Sequence, residues 1–73
     1  MMLFASSIVF EVKGMQNSTL KICVFDNQGR LITEQEAQGS SLTLQRGNMP
    51  AGLYTWRLEA DGVILNTGKI IAH

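Results

Sequence analysis

Apolar and polar side chains alternate most regularly over residues 53–58. Because successive side chains of a β-strand point to opposite faces, this spacing places Tyr54, Trp56 and a following leucine on one face. The dipeptide Asp61-Gly62 follows shortly after, and this pair tolerates the positive φ angles of a tight type I′ hairpin turn. The pattern predicts a strand with a buried aromatic face and a hairpin that returns the chain along it.

Shorter alternating segments, separated by turn-forming residues, lie on both sides of this strand. They predict further strands at residues 7–12, 20–25, 30–34 and 42–45, and a returning strand through Val63, Leu65 and Ile70. Residues 14–18, 26–29 and 36–40 are predicted to be turns or loops. One exposed helical turn within residues 31–38 is the alternative that the residue types allow. About six or seven short strands with regular turn signals predict an all-β protein, a small antiparallel β-sandwich.

A chain of 73 residues is long enough for one domain, spanning residues 1–73, with only a small core. Chains of this size bury roughly 60% of the surface that the unfolded chain exposes, so we expect marginal stability. Cys23 is the only cysteine, which excludes a disulfide within the chain. Six basic and six acidic residues balance to zero net charge. Without a basic stripe, neither a nucleic acid nor an anionic membrane surface is the expected partner.

Residues 1–5 are apolar, but two serines end the run and no basic residue precedes it. An amino-terminal export signal needs a cationic start and a longer apolar stretch, and a membrane span needs ~20 apolar residues. We therefore expect no transmembrane segment, and we expect any signal peptide to lie on a longer precursor.

The residue types give little support to catalysis. His73 is the only histidine and the last residue, where fraying would spoil a precise geometry. Cys23 lies between apolar residues, which is typical of a buried structural thiol. Asp26 (with Asn27) or Asp61 could ligate calcium, but a turn needs each side chain, and a calcium site needs about six oxygens or more. We expect no enzyme activity, no metal site and no cofactor.

Tyr54 and Trp56 admit two interpretations. Two aromatic side chains on one strand face can stack on a sugar ring, as in carbohydrate-binding proteins. On a strand whose same face continues with Leu58, they more often belong to the core. We expect both side chains to be buried.

Three short motifs follow one another along the chain. They are Val-Phe-Asp-Asn-Gln-Gly-Arg-Leu at residues 24–31, Met-Pro-Ala-Gly-Leu-Tyr at 49–54 and Lys-Ile-Ile at 69–71. In this order and spacing they resemble the carboxyl-terminal sorting domain of cargo proteins of the type IX secretion system of Bacteroidetes. The resemblance covers about residues 7–72. Two departures are visible: residues 1–5 replace the Asn-Pro element that often opens the family, and no second basic residue follows the closing aliphatic residues.

The resemblance implies an Ig-like β-sandwich that forms the carboxyl-terminal module of a larger secreted protein. Such a module is non-catalytic and directs folded cargo from the periplasm through the outer membrane to the cell surface or the medium. The implied partners are outer-membrane components of the secretion system and a sortase-like peptidase that commonly removes the domain. We expect a monomer or a weak homo-oligomer.

The family motifs also imply which residues matter for recognition. Carried over by motif, these are Gly29, Arg30, Pro50, Gly52, Tyr54, Lys69, Ile70 and Ile71. Turn geometry explains most of the role of the glycines and the proline, whereas Arg30 and Lys69 are candidates for direct contact. The last strand is a candidate docking element, since an edge strand can accept a strand of a receptor.

Two other functions remain open from the sequence. A structural or adhesive β-sandwich that caps a surface protein or a tail-fibre-like protein would share the same strand pattern. A small hydrolase or sugar-binding protein is a third candidate, and it would depend on an exposed Trp56.

Overall fold

Every regular element in the described part of the chain is a β-strand. The computed structural model describes residues 2–4, 6–14 and 17–73. The strands are β1 (Met2–Phe4), β2 (Ser7–Glu11), β3 (Thr19–Phe25), β4 (Leu31–Gln38), β5 (Ser41–Gln45), β6 (Gly52–Ala60) and β7 (Val63–Ala72).

The strands form two sheets. Five strands make the larger sheet in the order β1-β7-β6-β3-β4, and β2 pairs with β5 in the smaller one. All neighbours run antiparallel except β1 and β7, which are parallel. In this arrangement β3, β6 and β7 take the places of strands C, F and G of an immunoglobulin domain, and β2 and β5 those of B and E. The prediction of a small all-β, Ig-like sandwich of six or seven strands is confirmed.

The core lies between the two sheets and is built by alternate residues of each strand. From β3 it takes Leu20, Ile22 and Val24, all fully buried. The smaller sheet contributes Ile8, Phe10, Leu42 and Leu44, and β6 contributes Tyr54, Trp56 and Leu58. The alternation predicted for these strands is therefore confirmed.

The predicted hairpin turn at Asp61-Gly62 joins β6 to β7. Both residues have positive φ angles, 50° and 84°, as a type I′ turn requires. The Asp61 carboxylate accepts a hydrogen bond from the Thr19 amide at 2.9 Å, and the Asp61 amide donates to the Thr19 carbonyl at 3.0 Å. The side chain of Asp61 thus anchors the hairpin tip to the start of β3.

The prediction of a loop over residues 36–40 is wrong for residues 36–38 and correct for residues 39 and 40, and the alternative of a helical turn within residues 31–38 is wrong. Strand β4 continues to Gln38, paired residue by residue with β3. The Gln38 amide group donates to the Thr19 hydroxyl at 2.9 Å, and Ala37 packs against the core. Pairing with β3 stabilises an extended conformation that the local residue types do not favour. Two residues of the predicted loop at 14–18, residues 15 and 16, lie outside the described residues.

The amino-terminal segment contains a strand that the sequence pattern did not predict. Met2–Phe4 pairs in parallel with Ile70–Ala72, so β1 lies beside the end of the last strand. Residues 1 and 5 lie outside the described part of the chain.

A glutamine side chain connects the two sheets at their open side. The Gln35 amide nitrogen donates to the Gln45 carbonyl, and the Gln45 amide donates to the Gln35 side-chain oxygen, both at 3.1 Å. The side chain therefore pairs with Gln45 much as a neighbouring strand would, and it ties β4 to β5.

Candidate recognition site

The first motif forms a turn between β3 and β4 that is organised by one carboxylate. Asp26 Oδ1 accepts hydrogen bonds from the amides of Gln28 and Arg30, at 2.9 and 3.0 Å. Asp26 Oδ2 accepts from the Arg30 guanidinium at 2.8 Å. Gly29 has a φ of 84°, the left-handed conformation expected for the glycine of this turn. Asp26 therefore acts as the turn residue, and Arg30 is an exposed cation paired with it.

We expect Asp26 to make stability depend on pH. The backbone hydrogen bond from Arg30 is the main cause that lowers the pKa of Asp26 below its ordinary value of 3.8. The unfolded chain then binds the proton more tightly, so this contribution is complete above pH 3.8 and is lost as the pH falls through the lower folded pKa. Acid unfolding of the Asp26→Asn variant, followed by tryptophan fluorescence, should lack this part of the pH dependence. An unchanged acid transition would contradict the role of the carboxylate.

The second motif forms the corner that leads into β6. The Tyr54 hydroxyl donates to the Pro50 carbonyl, four residues upstream, at 2.6 Å. The Tyr54 ring is buried, and Gly52 has a φ of 155°, which side-chain-bearing residues rarely adopt. This is the tyrosine corner of Ig-like sandwiches, in which a tyrosine near the start of strand F bonds to the preceding backbone. The Pro-Ala-Gly-Leu-Tyr spacing is therefore explained by this corner.

We expect Tyr54→Phe to lower the free energy of unfolding by about 1 kcal/mol, because the corner loses one hydrogen bond while the ring stays in place. Urea denaturation of both proteins measures the difference. Leu53→Ala, an exposed neighbour on the other strand face, is the control and should change stability less. Equal stability of Tyr54→Phe and the wild type would contradict the importance of the corner.

The third motif lies at the end of β7. Lys69 is exposed, Ile70 is fully buried in the core, and Ile71 is half-buried. Ile70 lies directly opposite Tyr54 in the sheet. The expectation that the closing strand has a free edge is wrong at residues 70–72, because β1 pairs there. Along Val63–Lys69, no described strand covers the outer edge of β7.

The fold brings the three motifs to one end of the larger sheet. Strand β3 ends there at Phe25, β6 begins there, and β7 ends there; Phe25, Thr55 and Lys69 are consecutive neighbours across the sheet. We call this region the motif end: the turn at residues 26–30, the corner at residues 50–54 and residues 69–72.

Arg46 connects two of the motifs, and sequence reasoning missed it. Its guanidinium donates to the Met49 carbonyl at 3.1 Å, beside the corner, and to the main-chain oxygen of His73 at 2.6 Å, beyond β7. The two acceptors are 3 and 27 residues away along the chain. Only the fold brings them together, so no local signal in the sequence marks this arginine.

Cys23 is a buried thiol on the outer side of β3. Its sulfur lies 3.8 Å from a Glu34 carboxylate oxygen and 3.9 Å from an Arg57 guanidinium nitrogen. Arg57 also pairs with Glu59 at 2.8 Å and covers the Phe25 ring, 5.2 Å from its centroid. The interpretation of Cys23 as a buried structural cysteine is confirmed.

The sugar-stacking interpretation of the aromatic face is wrong. Trp56 is only 8% exposed and Tyr54 only 5%. The Trp56 ring packs edge-on against Phe10, with ring centroids 4.9 Å apart and an interplanar angle of 62°. These rings face the opposite sheet, so neither presents a surface to a ligand.

The described residues contain no group of three or more His, Cys, Asp or Glu side chains placed to hold a metal ion. They also contain no helix that is long and apolar enough to span a membrane.

The fold and the three motifs define a class: a small Ig-like β-sandwich whose sequence signature shapes turns and a terminal strand at one end. A protein-family model described as the secretion system C-terminal sorting domain matches residues 5–73. The chain belongs to this family, the carboxyl-terminal sorting domains of type IX secretion. Comparisons with curated proteins and with solved structures found no match. Membership supports a C-terminal sorting signal, and it implies contact with the secretion machinery and secretion to the cell surface or beyond.

Proposed function

We propose that the domain is a non-catalytic sorting module that outer-membrane components of the type IX system recognise at the motif end. The observation that carries this proposal is the family match over residues 5–73. The convergence of all three family motifs at one end of the sandwich supports the motif end as the recognised region. A sortase-like peptidase that removes the domain after export is the second proposed partner.

The contacts of Cys23 and His73, the two residues considered as candidates for catalysis, support a non-catalytic role. The Cys23 thiol has an acidic and a basic neighbour, Glu34 and Arg57, and no imidazole within reach. His73 is exposed, and the contact described for it is made by its main-chain oxygen. A reactive thiol must also be accessible to a substrate, and the Cys23 thiol, although hydrogen-bonded to the Glu34 carboxylate, is only 2% exposed.

The motif residues divide into two groups by exposure. Gly29, Pro50, Gly52, Tyr54 and Ile70 shape turns or fill the core. Their proposed role in recognition is to hold the motif end in shape, whereas Arg30, Lys69 and the half-buried Ile71 present groups to a partner. Lys69 is the clearest contact candidate, because none of the described residues forms an ion pair with it.

We further propose that the cargo protein first enters the periplasm and is recognised there through the motif end. In this scheme the domain is the carboxyl-terminal module of a larger protein, and a signal peptide lies at the start of that precursor. The module acts as a monomer, because one copy presents all three motifs.

The experiment is a transplant of residues 1–73 to the carboxyl end of a periplasmic reporter in a host with an active type IX system. Surface display of the reporter is the readout. A version that ends at Asn66 should stay in the periplasm, but it also removes the buried Ile70 from the core. Point variants therefore separate recognition from folding.

Lys69→Ala is the informative point variant, and Lys13→Ala is its control, since both lysines are exposed. We expect Lys69→Ala to reduce display without changing the melting temperature, and Lys13→Ala to change neither. A folded wild-type domain that leaves the reporter in the periplasm would contradict the proposed function. That result would favour a structural or adhesive module, which the exposed Val63, Ile64 and Leu65 could support by self-association; native mass spectrometry would then show a dimer or trimer.

A further inference from the structure

The last strand is paired on its outer edge over only part of its length. Strand β6 covers the inner edge of β7 from end to end. On the outer edge, β1 pairs with Ile70–Ala72 alone. In the ranges 2–4, 6–14 and 17–73, no other strand reaches this edge, so Val63–Lys69 has no strand partner there, although the Thr67 amide donates to the Asn66 side-chain oxygen at 2.9 Å.

The open part of the edge begins with three apolar residues, continues with Asn66, Thr67 and Gly68, and carries no charge before Lys69. Val63, Ile64 and Leu65 are 63%, 56% and 37% exposed. Folded proteins usually protect such an edge with charged side chains, proline, a bulge or a covering segment, because an exposed edge accepts further strands. Here the one such feature is a register shift at Leu65, where β7 has one residue more than β6.

The edges on the opposite side of the sandwich are protected. Strand β4 carries the exposed Glu34 and Glu36. The Gln35 side chain occupies both backbone groups of Gln45, which blocks the end of β5. The outer edge of β7 is therefore the longest uncharged edge that the described strands leave available, since the unpaired edge of β2 is shorter and ends in Glu11.

Strand β1 occupies the end of this edge and lies outside the residues that the family model matches. The family match begins at residue 5, after β1 has ended. Its three residues, Met-Leu-Phe, are uncharged, and β7 is its only partner among the described strands. Strand β1 therefore shows that the edge accepts an extended, apolar strand that runs parallel to β7.

We propose that the outer edge of β7 is a strand-accepting site for an extended apolar segment of the secretion machinery, and that this segment displaces Met2–Phe4. The inference rests on the proposed function and adds the binding mode. A second copy fits the site less well, because pairing two β7 edges around a two-fold axis would be antiparallel, whereas β1, the strand already on this edge, runs parallel to β7. The partner gains backbone hydrogen bonds along β7, and Val63–Leu65 supply apolar contacts.

The first test opens the edge in the intact chain. Proline fixes φ and is poorly tolerated within a paired strand, so Leu3→Pro should detach the three-residue β1. Amide exchange at the protected positions of Ile70–Ala72 should then accelerate, while the amides of β3 stay protected and show that the fold is intact. Unchanged exchange at Ile70–Ala72 would overturn the assignment of β1 as a removable strand.

The second test adds a strand in trans, using an acetylated peptide of residues 1–6 as the probe. The peptide should bind Leu3→Pro about tenfold more tightly than the wild type, because the site is no longer occupied in cis. NMR shift changes should follow the edge of β7, and the peptide carrying the same proline is the negative control. Equal affinity for both proteins, or dimerisation of Leu3→Pro in place of peptide binding, would overturn the proposal.

The third test fixes β1 to β7 with a disulfide, so that β1 cannot be displaced during export. Leu3→Cys with Ile71→Cys, in a Cys23→Ala background, allows a disulfide between paired positions. Reporter display should fall in the double variant and persist in each single variant. Equal display of locked and unlocked domains would overturn displacement of β1 and leave the sorting function standing. Failure of the wild-type domain to export the reporter would remove the sorting function, and the peptide experiment would still decide whether the edge accepts a strand.

Discussion

Trp56→Ala is expected to unfold most of the protein at room temperature. Truncating a buried tryptophan costs about 3–5 kcal/mol in lost burial and cavity formation, and a domain this small has little stability in reserve. Trp56 is the only tryptophan, and it joins β6 to the opposite sheet through Phe10.

Circular dichroism and one-dimensional NMR measure this effect, since the variant lacks the fluorescent residue. Trp56→Phe is the matched control. It keeps an aromatic ring in the core and removes an indole N–H that is buried with no hydrogen-bond partner in the described structure. A cooperative, fully folded Trp56→Ala protein would contradict the assignment of Trp56 to the core.

Gly68→Ala is expected to cost about 2–3 kcal/mol, because the added methyl group overpacks the core. A Cβ atom at residue 68 would lie 2.6 Å from Cζ2, 2.7 Å from Cε2 and 2.8 Å from Nε1 of Trp56. Gly68 lies directly opposite Trp56 in the sheet. Because glycine has no Cβ atom, the indole ring packs directly against the main chain of Gly68. Urea denaturation, monitored by tryptophan fluorescence, gives the difference.

Two comparisons test whether the lost stability of Gly68→Ala comes from the clash with Trp56. Thr67→Ala changes the neighbouring exposed residue and should have a small effect. In the Trp56→Phe background, Gly68→Ala should cost less, because phenylalanine lacks the atoms that clash. An equal cost in both backgrounds would show that the glycine acts through backbone freedom and not through its contact with Trp56.

The strands that contribute most to the core could be predicted from the sequence. Alternation over residues 53–58 identified the buried face of β6, and Asp61-Gly62 identified the hairpin, since both signals depend on local geometry. Strand β4 was placed too short because its second half contains glutamate and glutamine. On an edge strand most side chains can face water, and pairing with β3 determines the conformation.

The candidate site could be predicted where the residues that bond to each other lie close together in the sequence. The turn at Asp26 and the corner at Tyr54 are made by residues within four positions of each other, so their spacing is visible in the sequence. Arg46 reaches an acceptor 27 residues away, and Gln35 one that is 10 residues away. Neither contact has a sequence signature, because the tertiary fold alone brings the partners together.

The parallel pairing of β1 with β7 has a mechanical consequence. Because the two strands run in the same direction, traction on Met2 from upstream and resistance at Ala72 would load their shared hydrogen bonds in shear, all together. Such a ladder holds until a threshold force and then fails in one step, unlike an antiparallel hairpin that unzips bond by bond. The ladder has only three residue pairs, so the threshold force is low. Tension on the cargo would therefore determine when β1 detaches from β7.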